Sequence, residues 1–468
     1  MDYQTIIGLE IHVELLTDTK LFCHCPTGFG AKPNSQVCPT CLGLPGSLPV
    51  LRPQAVTQAL RAALALDCSI NEVSRFARKN YFYPDLPKGY QITQTIPLAQ
   101  DGKVKVGEQE IAISRLHLEE DSGKSVHTGD STLVDYNRSG IPLAEIVTSP
   151  CIKSPAQARE FLEALRQIMQ YAQVSDCRMD QGSLRCDANI SLQGEEPAGA
   201  RTEIKNLNSF KAVEQALGYE IRRQSEILEQ GKNVKPETMH WNEVHGVTVP
   251  MRVKEESPDY RLFPDPDLPP LVVSGEEIQA CRQSLPELPQ GKFERFRRKY
   301  GLPDMDIQVL TKTRGMADWF EETVQAGADP QAAANWVCSE VTRLLNREGR
   351  DISSLAFTPG DLARLIALNQ QEEISGTAAK QVLAEMFLGG GDPAEIMQQL
   401  GVAQVSDADS LLTLVNSVLA ENREAVSDYH GGKKRALGHL MGQAMKKSQG
   451  RANPRKLKGL LLKELNKG

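Results

Sequence analysis

A histidine and several acids occur in strand-like segments at spacings that suit the binding of a cation. Glu10 and His12 are two residues apart in residues 5–16, where apolar and polar side chains alternate, so both would lie on one face of a strand. Residues 111–121 form a second candidate strand that ends in three consecutive acids. Because carboxylate oxygens are preferred ligands of Mg2+, these segments predict a metal site. A strand with one face in water, or a solvated hairpin tip, would show the same pattern.

Alternation along the second candidate strand also predicts which side chains share a face. Counting every second residue places Ile113, Arg115 and His117 together, and Glu120 then points to the other face. The Ser-Gly-Lys-Ser sequence that follows, residues 122–125, is not a Walker A motif because the first glycine of that motif is missing. Any ATP would therefore be held through metal ions and residues of the sheet.

Two further segments place polar side chains in alternation with apolar ones. Asp187 and Asn189 do so in residues 183–192, and Glu203 does so in residues 201–210. Aspartate and asparagine are poor strand formers, so their presence inside a strand calls for a role. We expect the four strands to meet in one antiparallel sheet, whose polar face gathers carboxylates around Mg2+ and a phosphate donor.

Four of the ten cysteines are clustered near the N-terminus. Cys23 and Cys25 form a C-x-C pair, Cys38 and Cys41 form a C-x-x-C pair, and twelve residues separate the pairs. The first residues lack the basic and apolar regions of a signal peptide, which favours a reducing cytosolic compartment. In that setting the pairs predict a structural zinc site with four thiolate ligands, rather than disulfides.

Two loop segments carry cations that suit anion binding. Residues 78–94 combine Lys79 and other basic residues with tyrosines, prolines and a glycine, a mixture that can hold a nucleotide or a tRNA end or can pack as a rigid loop. Arg138 lies in an Asn-Arg-Ser-Gly turn, where its guanidinium could grip a phosphate or a carboxylate.

Charge and length bound the class of protein. The net charge of −7 argues against a general polyanion binder. The residues from Gly431 onward, however, include eleven lysines and arginines against one acid, Glu464, which predicts a nucleic-acid-facing module or a solvated basic helix face. No run of 18 apolar residues is present, so we expect no membrane span and a cytoplasmic location.

The pattern predicts an α+β protein with three parts. Residues 1–292 form a cradle domain with its zinc loop at 23–41, residues 293–405 form an all-α domain, and residues 406–468 form a basic helical tail domain. Ser154 followed by Pro155 predicts the start of a helix that extends to about residue 173.

Long motifs of this sequence resemble the B subunit of the tRNA-dependent Asp/Glu amidotransferases. They cover most of residues 1–270 in order: GLEIHVELLTDTKLFC (8–23), the two cysteine pairs, RKNYFYPDLPKGYQI (78–92), LHLEEDSGK (116–124), DYNRSGIPLAEI (135–146), GSLRCDANIS (182–191), TEIKNLNSF (202–210) and DYRLFPDPDLPP (259–270). The helical remainder is similar to that subunit in length and style, with weaker motifs. No inserted synthetase-like domain is visible, so the archaeal E-type relative fits less well.

The resemblance implies a ligase that uses ATP to phosphorylate the side-chain carboxylate of Glu or Asp misacylated on tRNA(Gln) or tRNA(Asn). Ammonia then displaces the phosphate to give Gln-tRNA(Gln) or Asn-tRNA(Asn). It also implies a heterotrimer, in which an amidase (A) subunit supplies the ammonia and a small (C) subunit bridges the other two. The absence of an amidase Ser-Ser-Lys signature from this sequence agrees with a chain that needs such a partner.

The resemblance further implies a glutamine-synthetase-like cradle with a magnesium site. Carried over to this sequence, the catalytic and metal-binding residues are Glu10, His12, Glu119, Glu120, Asp187 and Glu203. Lys79 and Arg138 are the implied phosphate or substrate contacts, and the basic tail would hold the outer part of the tRNA. Glu14 departs from the family, which often has Gln there, and is left out of the site.

Two other functions remain open at this point. A non-catalytic tRNA-binding adaptor of the same complex would need the zinc loop and the basic helices but not the acids. A free-standing metal-dependent ligase for a small acid would hydrolyse ATP without tRNA.

Overall fold

The computed structural model describes residues 3–194, 200–251, 260–404 and 407–467. The chain divides into a mixed unit, Met1–Pro289, and a helical unit, Gln290–Gly468. The strands in chain order are β1 (Gln4–Glu14), β2 (Ser69–Ile70), β3 (Val73–Asn80), β4 (Tyr90–Ile96), β5 (Ala99–Val106), β6 (Gln109–Glu120), β7 (Lys124–Thr128), β8 (Ser131–Asp135), β9 (Pro142–Thr148), β10 (Leu184–Gln193), β11 (Thr202–Leu207), β12 (Glu237–Asn242), β13 (Val247–Pro250), β14 (Phe263–Pro264) and β15 (Leu271–Val272).

Helices are interspersed among the strands of the mixed unit and make up most of what the structure describes of the second unit. They are α1 (Pro53–Ala65), α2 (Pro155–Tyr171), α3 (Phe210–Glu229), α4 (Gly275–Ser284), α5 (Pro289–Tyr300), α6 (Asp304–Leu310), α7 (Arg314–Gln325), α8 (Pro330–Asn335), α9 (Thr342–Glu348), α10 (Pro359–Gln370), α11 (Gly376–Gly389), α12 (Pro393–Gln399), α13 (Ala408–Glu421), α14 (Arg423–His430), α15 (Arg435–Lys447) and α16 (Pro454–Leu465). A π-helical stretch, Trp336–Val341, joins α8 to α9, and Ile352–Ser354 is a 3-10 turn.

A nine-stranded sheet in the order β13-β12-β11-β10-β1-β9-β6-β5-β2 is the scaffold of the mixed unit. It contains β1, β6, β10 and β11, the four strands predicted to meet, and it places β9 between β1 and β6. The sheet is not wholly antiparallel as expected, because β11 and β12 run parallel. The reason is that α3 connects these two strands, and a helical crossover returns the chain in the same direction.

Helices cover one face of this sheet and leave the other face polar. Apolar residues of β1 and β10 alternate toward α2 and α3, and β1 buries Ile7, Leu9, Ile11 and Val13 on this side. The predicted helix after Ser154 is α2, whose first turn is held by the Ser154 hydroxyl, which accepts from the Gln157 amide. The core therefore lies between the sheet and the helices, and the opposite face is available for chemistry.

A β-bulge in β6 changes the face assignment that simple alternation predicts. The pairing of β6 with β9 shifts between Ile113 and Arg115, and an extra residue in a strand reverses the side to which later residues point. Ile113 therefore lies in the core, whereas Arg115 and His117 lie on the polar face with Glu119. The predicted shared face of Ile113 and Arg115 was wrong for this reason.

The helical unit contains two separate clusters of buried apolar residues. The larger one is formed by helices α5–α12 and includes Phe296, Phe320 and Phe387. The smaller one is formed by α13, α15 and α16 around Leu411, Leu440 and Leu461, with Ala452 from the connection between α15 and α16. The predicted boundary between helical and tail domains, at residues 405 and 406, falls on positions outside the described ones.

The coarse prediction of a mixed α+β protein with a large sheet is confirmed.

Of the helices within the described ranges, none combines the length and the apolar character needed to cross a lipid bilayer.

Candidate active site and cysteine cluster

The register of the sheet brings predicted site residues from distant segments onto its polar face. Glu10 lies opposite Asp187 in the β1–β10 ladder, and Asn189 lies opposite Glu203 in the β10–β11 ladder. Side chains directly opposite each other in neighbouring strands share a face and are about 5 Å apart at Cβ. The polar face therefore collects acids that the sequence separates by up to 193 residues, from position 10 to position 203.

His12 is the centre of the most buried corner of this face. Its Nε2 atom lies 3.3 Å from Glu119 Oε1, 3.7 Å from Glu145 Oε2 and 4.0 Å from Glu10 Oε1. Glu119 and Glu145 are buried. Glu10, His12 and Glu145 offer ligand atoms that all lie within 4.8 Å of one another, so this corner combines imidazole and carboxylate groups at distances suited to a cation.

Electrostatics at this corner favour a charged His12 beside an ionised Glu145. Burial lowers the pKa of His12, but its contacts with Glu119 and Glu145 outweigh burial and raise that pKa to about 10. Burial raises the pKa of Glu145, but the hydrogen bond and charge of His12 outweigh it and lower that pKa to about 2. A metal cation that bound His12 would displace the proton of the imidazolium and would balance the negative charge of the neighbouring acids in its place.

Glu145 was missed by the sequence analysis. Glu145 is in β9, where it lies opposite His12 of β1 on one side and opposite His117 of β6 on the other. Six of the seven residues of β9, Pro142–Thr148, are buried, so this central strand shows no alternation of polar and apolar residues. The signal that could have indicated Glu145 is a single acid inside an apolar run. Burying such an acid costs free energy unless it has a charged partner.

Asp187 and Glu203 lie beside this corner but are bridged by a lysine. Lys205 Nζ is 2.6 Å from Asp187 Oδ2 and 3.0 Å from Glu203 Oε1. The hydroxyl of Thr238 in β12 donates to Glu203 Oε2 at 3.0 Å. The structure thus places these two predicted site residues on the polar face, with the Lys205 ammonium group between them.

Glu120 lies on the face of the sheet opposite to the other predicted magnesium ligands. Its carboxylate pairs with Lys88 Nζ and accepts from the Ile92 amide at 2.9 Å. With Lys20 and Cys41, it lines a narrow cavity of about 80 Å³. Glu120 is therefore not brought together with His12, because the two neighbours Glu119 and Glu120 point to different sides of β6.

Lys79 and Arg138 occupy different settings. Lys79 lies over the ring of Tyr260 at 4.8 Å from its centroid, close enough to the polar face to affect His117. Burial lowers the pKa of His117, and Lys79 contributes in the same direction. Arg138 instead holds a turn: its Nε donates to the Ser122 carbonyl at 3.1 Å and its Nη2 to that of Gly123 at 2.9 Å.

The four predicted zinc ligands converge in one cluster. The Sγ atoms of Cys23, Cys25, Cys38 and Cys41 all lie within 4.8 Å of one another. The Cys38 and Cys41 Sγ atoms are 3.9 Å apart, and four sulfurs at about 2.3 Å from a tetrahedral zinc ion lie about 3.8 Å apart. All four thiols are free of disulfides, so the cluster is compatible with a metal-binding knuckle.

A buried lysine adjoins this cluster. Lys20 is fully buried, and its Nζ contacts Cys41 Sγ at 3.7 Å and donates to the Tyr136 carbonyl at 3.1 Å. The hydrogen bond from Cys23, with the Cys38 amide and the charge of Lys20, lowers the pKa of Cys41 to about 4 although burial opposes it. A thiolate is thus favoured at this position, as metal ligation requires.

Comparisons with known proteins cover almost the whole chain. Residues 5–279 match the family described as the GatB/GatE catalytic domain, and residues 318–465 match the one described as the GatB domain. A protein from Carboxydothermus hydrogenoformans is 50% identical across 100% of this chain and 99% of its own length. Relatives from Caldanaerobacter subterraneus subsp. tengcongensis and Clostridium botulinum are 49% and 48% identical, with complete coverage of both chains.

Each of these relatives is named as the B subunit of an aspartyl/glutamyl-tRNA(Asn/Gln) amidotransferase. The resemblance inferred from the motifs is confirmed, and with it the prediction of a ligase that depends on other subunits. This chain therefore belongs to the B-subunit family of the aspartyl/glutamyl-tRNA(Asn/Gln) amidotransferases.

Proposed function

We propose that the polar face of the sheet activates the side-chain carboxylate of Glu or Asp carried by a misacylated tRNA. A carboxylate oxygen attacks the γ-phosphorus of ATP and ADP leaves, which gives an acyl phosphate. Ammonia then attacks the acyl carbon, phosphate leaves, and a proton passes to a base, which yields Gln-tRNA(Gln) or Asn-tRNA(Asn). The observation that carries this proposal is the convergence of Glu10, Glu119 and Glu145 on His12.

The residues at this corner fit a divalent cation. Glu119 Oε2 is buried and lacks a hydrogen-bond partner among the described residues, and an orphaned carboxylate oxygen of this kind is costly unless a cation or a donor satisfies it. Glu10, His12, Glu119 and Glu145 would hold Mg2+, with Asp187 and Glu203 beside them. When bound, the ion neutralises the charge of phosphate oxygens, an effect of several kcal/mol.

The protein's own side chains would complete the charge balance around ATP. Lys205 offsets two carboxylates of the face, and Arg115 lies 3.7 Å from Glu145 with much of its side chain exposed. Lys79 extends from β3 toward the same face and remains our proposed phosphate contact. Glu120 and Arg138 would act indirectly, through the Lys88 pair and through the turn that follows β6.

A zinc ion in the cysteine cluster would be structural. Its four thiolates leave no open position for substrate, and the adjacent Lys20 ties the cluster to the Tyr136 carbonyl. Zinc would therefore hold the loop of residues 23–41 against the segment that leads from β8 to β9.

The partners follow from the reaction. This chain lacks an amidase signature, so ammonia would come from an amidase (A) subunit, and a small bridging (C) subunit would join the heterotrimer. The basic residues after Gly431 would hold the outer part of the tRNA, in a cytoplasmic complex.

Amidation by the reconstituted complex tests this function. We expect Glu119→Gln to lower the rate of Gln-tRNA formation about 100-fold or more with ATP, Mg2+ and the partner subunits present, because one buried charged ligand is lost. Glu163→Gln, which changes an exposed acid of α2, serves as the matched control and should retain the wild-type rate. If Glu119→Gln amidates at the wild-type rate, the chain acts as a tRNA-binding adaptor and the proposal is wrong.

A further inference from the structure

Arg185 is a cation on the polar face to which the proposed reaction assigns no role. It lies directly opposite His12 in the β1–β10 ladder, and its side chain is 35% exposed. Its Nε atom is buried and lacks a hydrogen-bond partner within the part of the chain that the structure describes. An unsatisfied buried donor is costly, so this position is suited to a ligand that accepts a hydrogen bond.

Arg185 shares its carboxylate partner with a second arginine. Arg185 Nη2 donates to Asp121 Oδ2 at 2.7 Å, and Arg138 Nε lies 3.3 Å from the same oxygen. The remaining bonds of Arg138 go to neutral carbonyls, those of Ser122 and Gly123. Asp121 therefore serves two guanidinium groups, and the carboxylates of Glu14 and Glu119 also lie close enough to act on Arg185.

Asp121 fixes the orientation of the Arg185 guanidinium. Its carboxylate is buried, and its Oδ1 accepts from the Ser122 amide at 2.8 Å. Because a guanidinium is planar and carries five donors in a fixed fork, anchoring one hydrogen of Nη2 leaves its other hydrogen, together with the neighbouring Nε or Nη1 donor, for a second planar acceptor. A carboxylate is such an acceptor, and its two oxygens match this fork better than they match a lysine ammonium.

We infer that Arg185 binds the side-chain carboxylate of the amino acid esterified to the tRNA and presents it at the His12 corner. This inference rests on the proposed function and names the residue that recognises its substrate. It also supplies a reason for substrate choice: the amide of an already amidated Gln-tRNA or Asn-tRNA has no charge and cannot take both bonds of the fork.

Binding of two tRNAs that differ in one group tests the inference without turnover. The wild-type complex should bind Glu-tRNA(Gln) about tenfold or more tightly than Gln-tRNA(Gln), which differs from it only in the side-chain amide. In Arg185→Gln the two affinities should become equal. Arg185→Lys, which keeps the charge and loses the fork, should retain only part of the preference, and Arg159→Lys on the surface of α2 should keep all of it.

Two further measurements separate this inference from other causes. Mn2+ binding by Arg185→Gln should stay within about twofold of wild type, which shows that the metal corner and the fold are intact. The KM for ATP should also be unchanged. The inference would be overturned if Arg185→Gln still discriminated between the two tRNAs. If the KM of that variant for ATP were also raised, Arg185 would hold a phosphate instead. Failure of the wild-type complex to amidate would instead refute the proposed function.

Discussion

At the scale of residues, the candidate site depends on a small group of acids around one histidine. Polar alternation in the sequence indicated Glu10 and His12, whereas Glu119 came from the run of three acids and from the family resemblance. The sequence could not identify Glu145, since β9 is buried on both faces, nor separate Glu119 from Glu120, since the bulge in β6 has no residue signature. Both omissions concern how neighbouring strands pair, which is a property of the folded sheet.

Glu145 provides the sharpest test at this scale. Its carboxylate contacts His12, Arg115 and His117 at 3.7–4.0 Å, so Glu145→Gln removes the negative charge that faces the His12 imidazolium and the Arg115 guanidinium. We expect amidation to fall about 100-fold and Mn2+ affinity to fall at least tenfold. Titration with Mn2+ followed by electron paramagnetic resonance measures the second effect. Unchanged Mn2+ affinity would exclude Glu145 from the metal site.

At the scale of elements, the positions of strands and helices were more predictable from the sequence than the way in which the strands pair. Ser154 and Pro155 marked the start of α2 correctly because capping is local chemistry. The parallel pairing of β11 with β12 was not predictable from alternation, because it depends on the crossover through α3. Elements are therefore visible in local sequence, whereas sheet order and direction are not.

An ion-pair cluster between α5 and α7 gives a pH-dependent prediction. Glu321 accepts from Arg295 Nη2 at 2.7 Å and lies 3.3 Å from Lys292 Nζ. The hydrogen bond from Arg295, with the charge of Lys292, lowers the pKa of Glu321 to about 2 from an ordinary 4.5. Its contribution to stability is therefore complete above pH 4.5 and is lost as the pH falls from 4.5 toward 2.

Glu321→Gln should thus destabilise the helical unit by about 1–3 kcal/mol at pH 7, and the difference from wild type should shrink below pH 4.5. Urea unfolding followed by tryptophan fluorescence can measure it, since Trp319 and Trp336 lie in this unit. The exposed neighbour Glu322 offers a control: Glu322→Gln should change stability little at any pH. A difference that grows on acidification would contradict the assignment of Glu321.

At the scale of the whole molecule, the acidic polar face of the sheet and the basic C-terminal region belong to different units of one chain. The sequence predicted the basic region from charge alone, since the distribution of charge needs no knowledge of the fold, and it predicted the acidic face from polar alternation along strands. What charge could not reveal is that α13, α15 and α16, with Ala452 between the last two, share a hydrophobic cluster of their own, which gives the basic residues a fixed platform.

Removal of two basic residues should weaken tRNA binding in a salt-dependent way. Lys458 and Lys463 are exposed on α16, and replacing both with Gln should raise the Kd for tRNA and reduce the slope of log K against log salt by about two. Lys153→Gln, outside the tail, should leave the slope unchanged. Filter binding across a salt series provides the measurement, and an unchanged slope in the double variant would place the tRNA elsewhere.

The most direct measurement of the central claim is positional isotope exchange in ATP with no ammonia donor present. Reversible transfer of the γ-phosphoryl group to the substrate carboxylate allows the β-phosphate oxygens to exchange positions before ATP re-forms. We predict exchange that requires Glu-tRNA(Gln) in the wild-type complex, is absent with Gln-tRNA(Gln), and is lost in Glu119→Gln. Undiminished exchange in Glu119→Gln, or exchange that proceeds without tRNA, would contradict activation of the substrate carboxylate at this face.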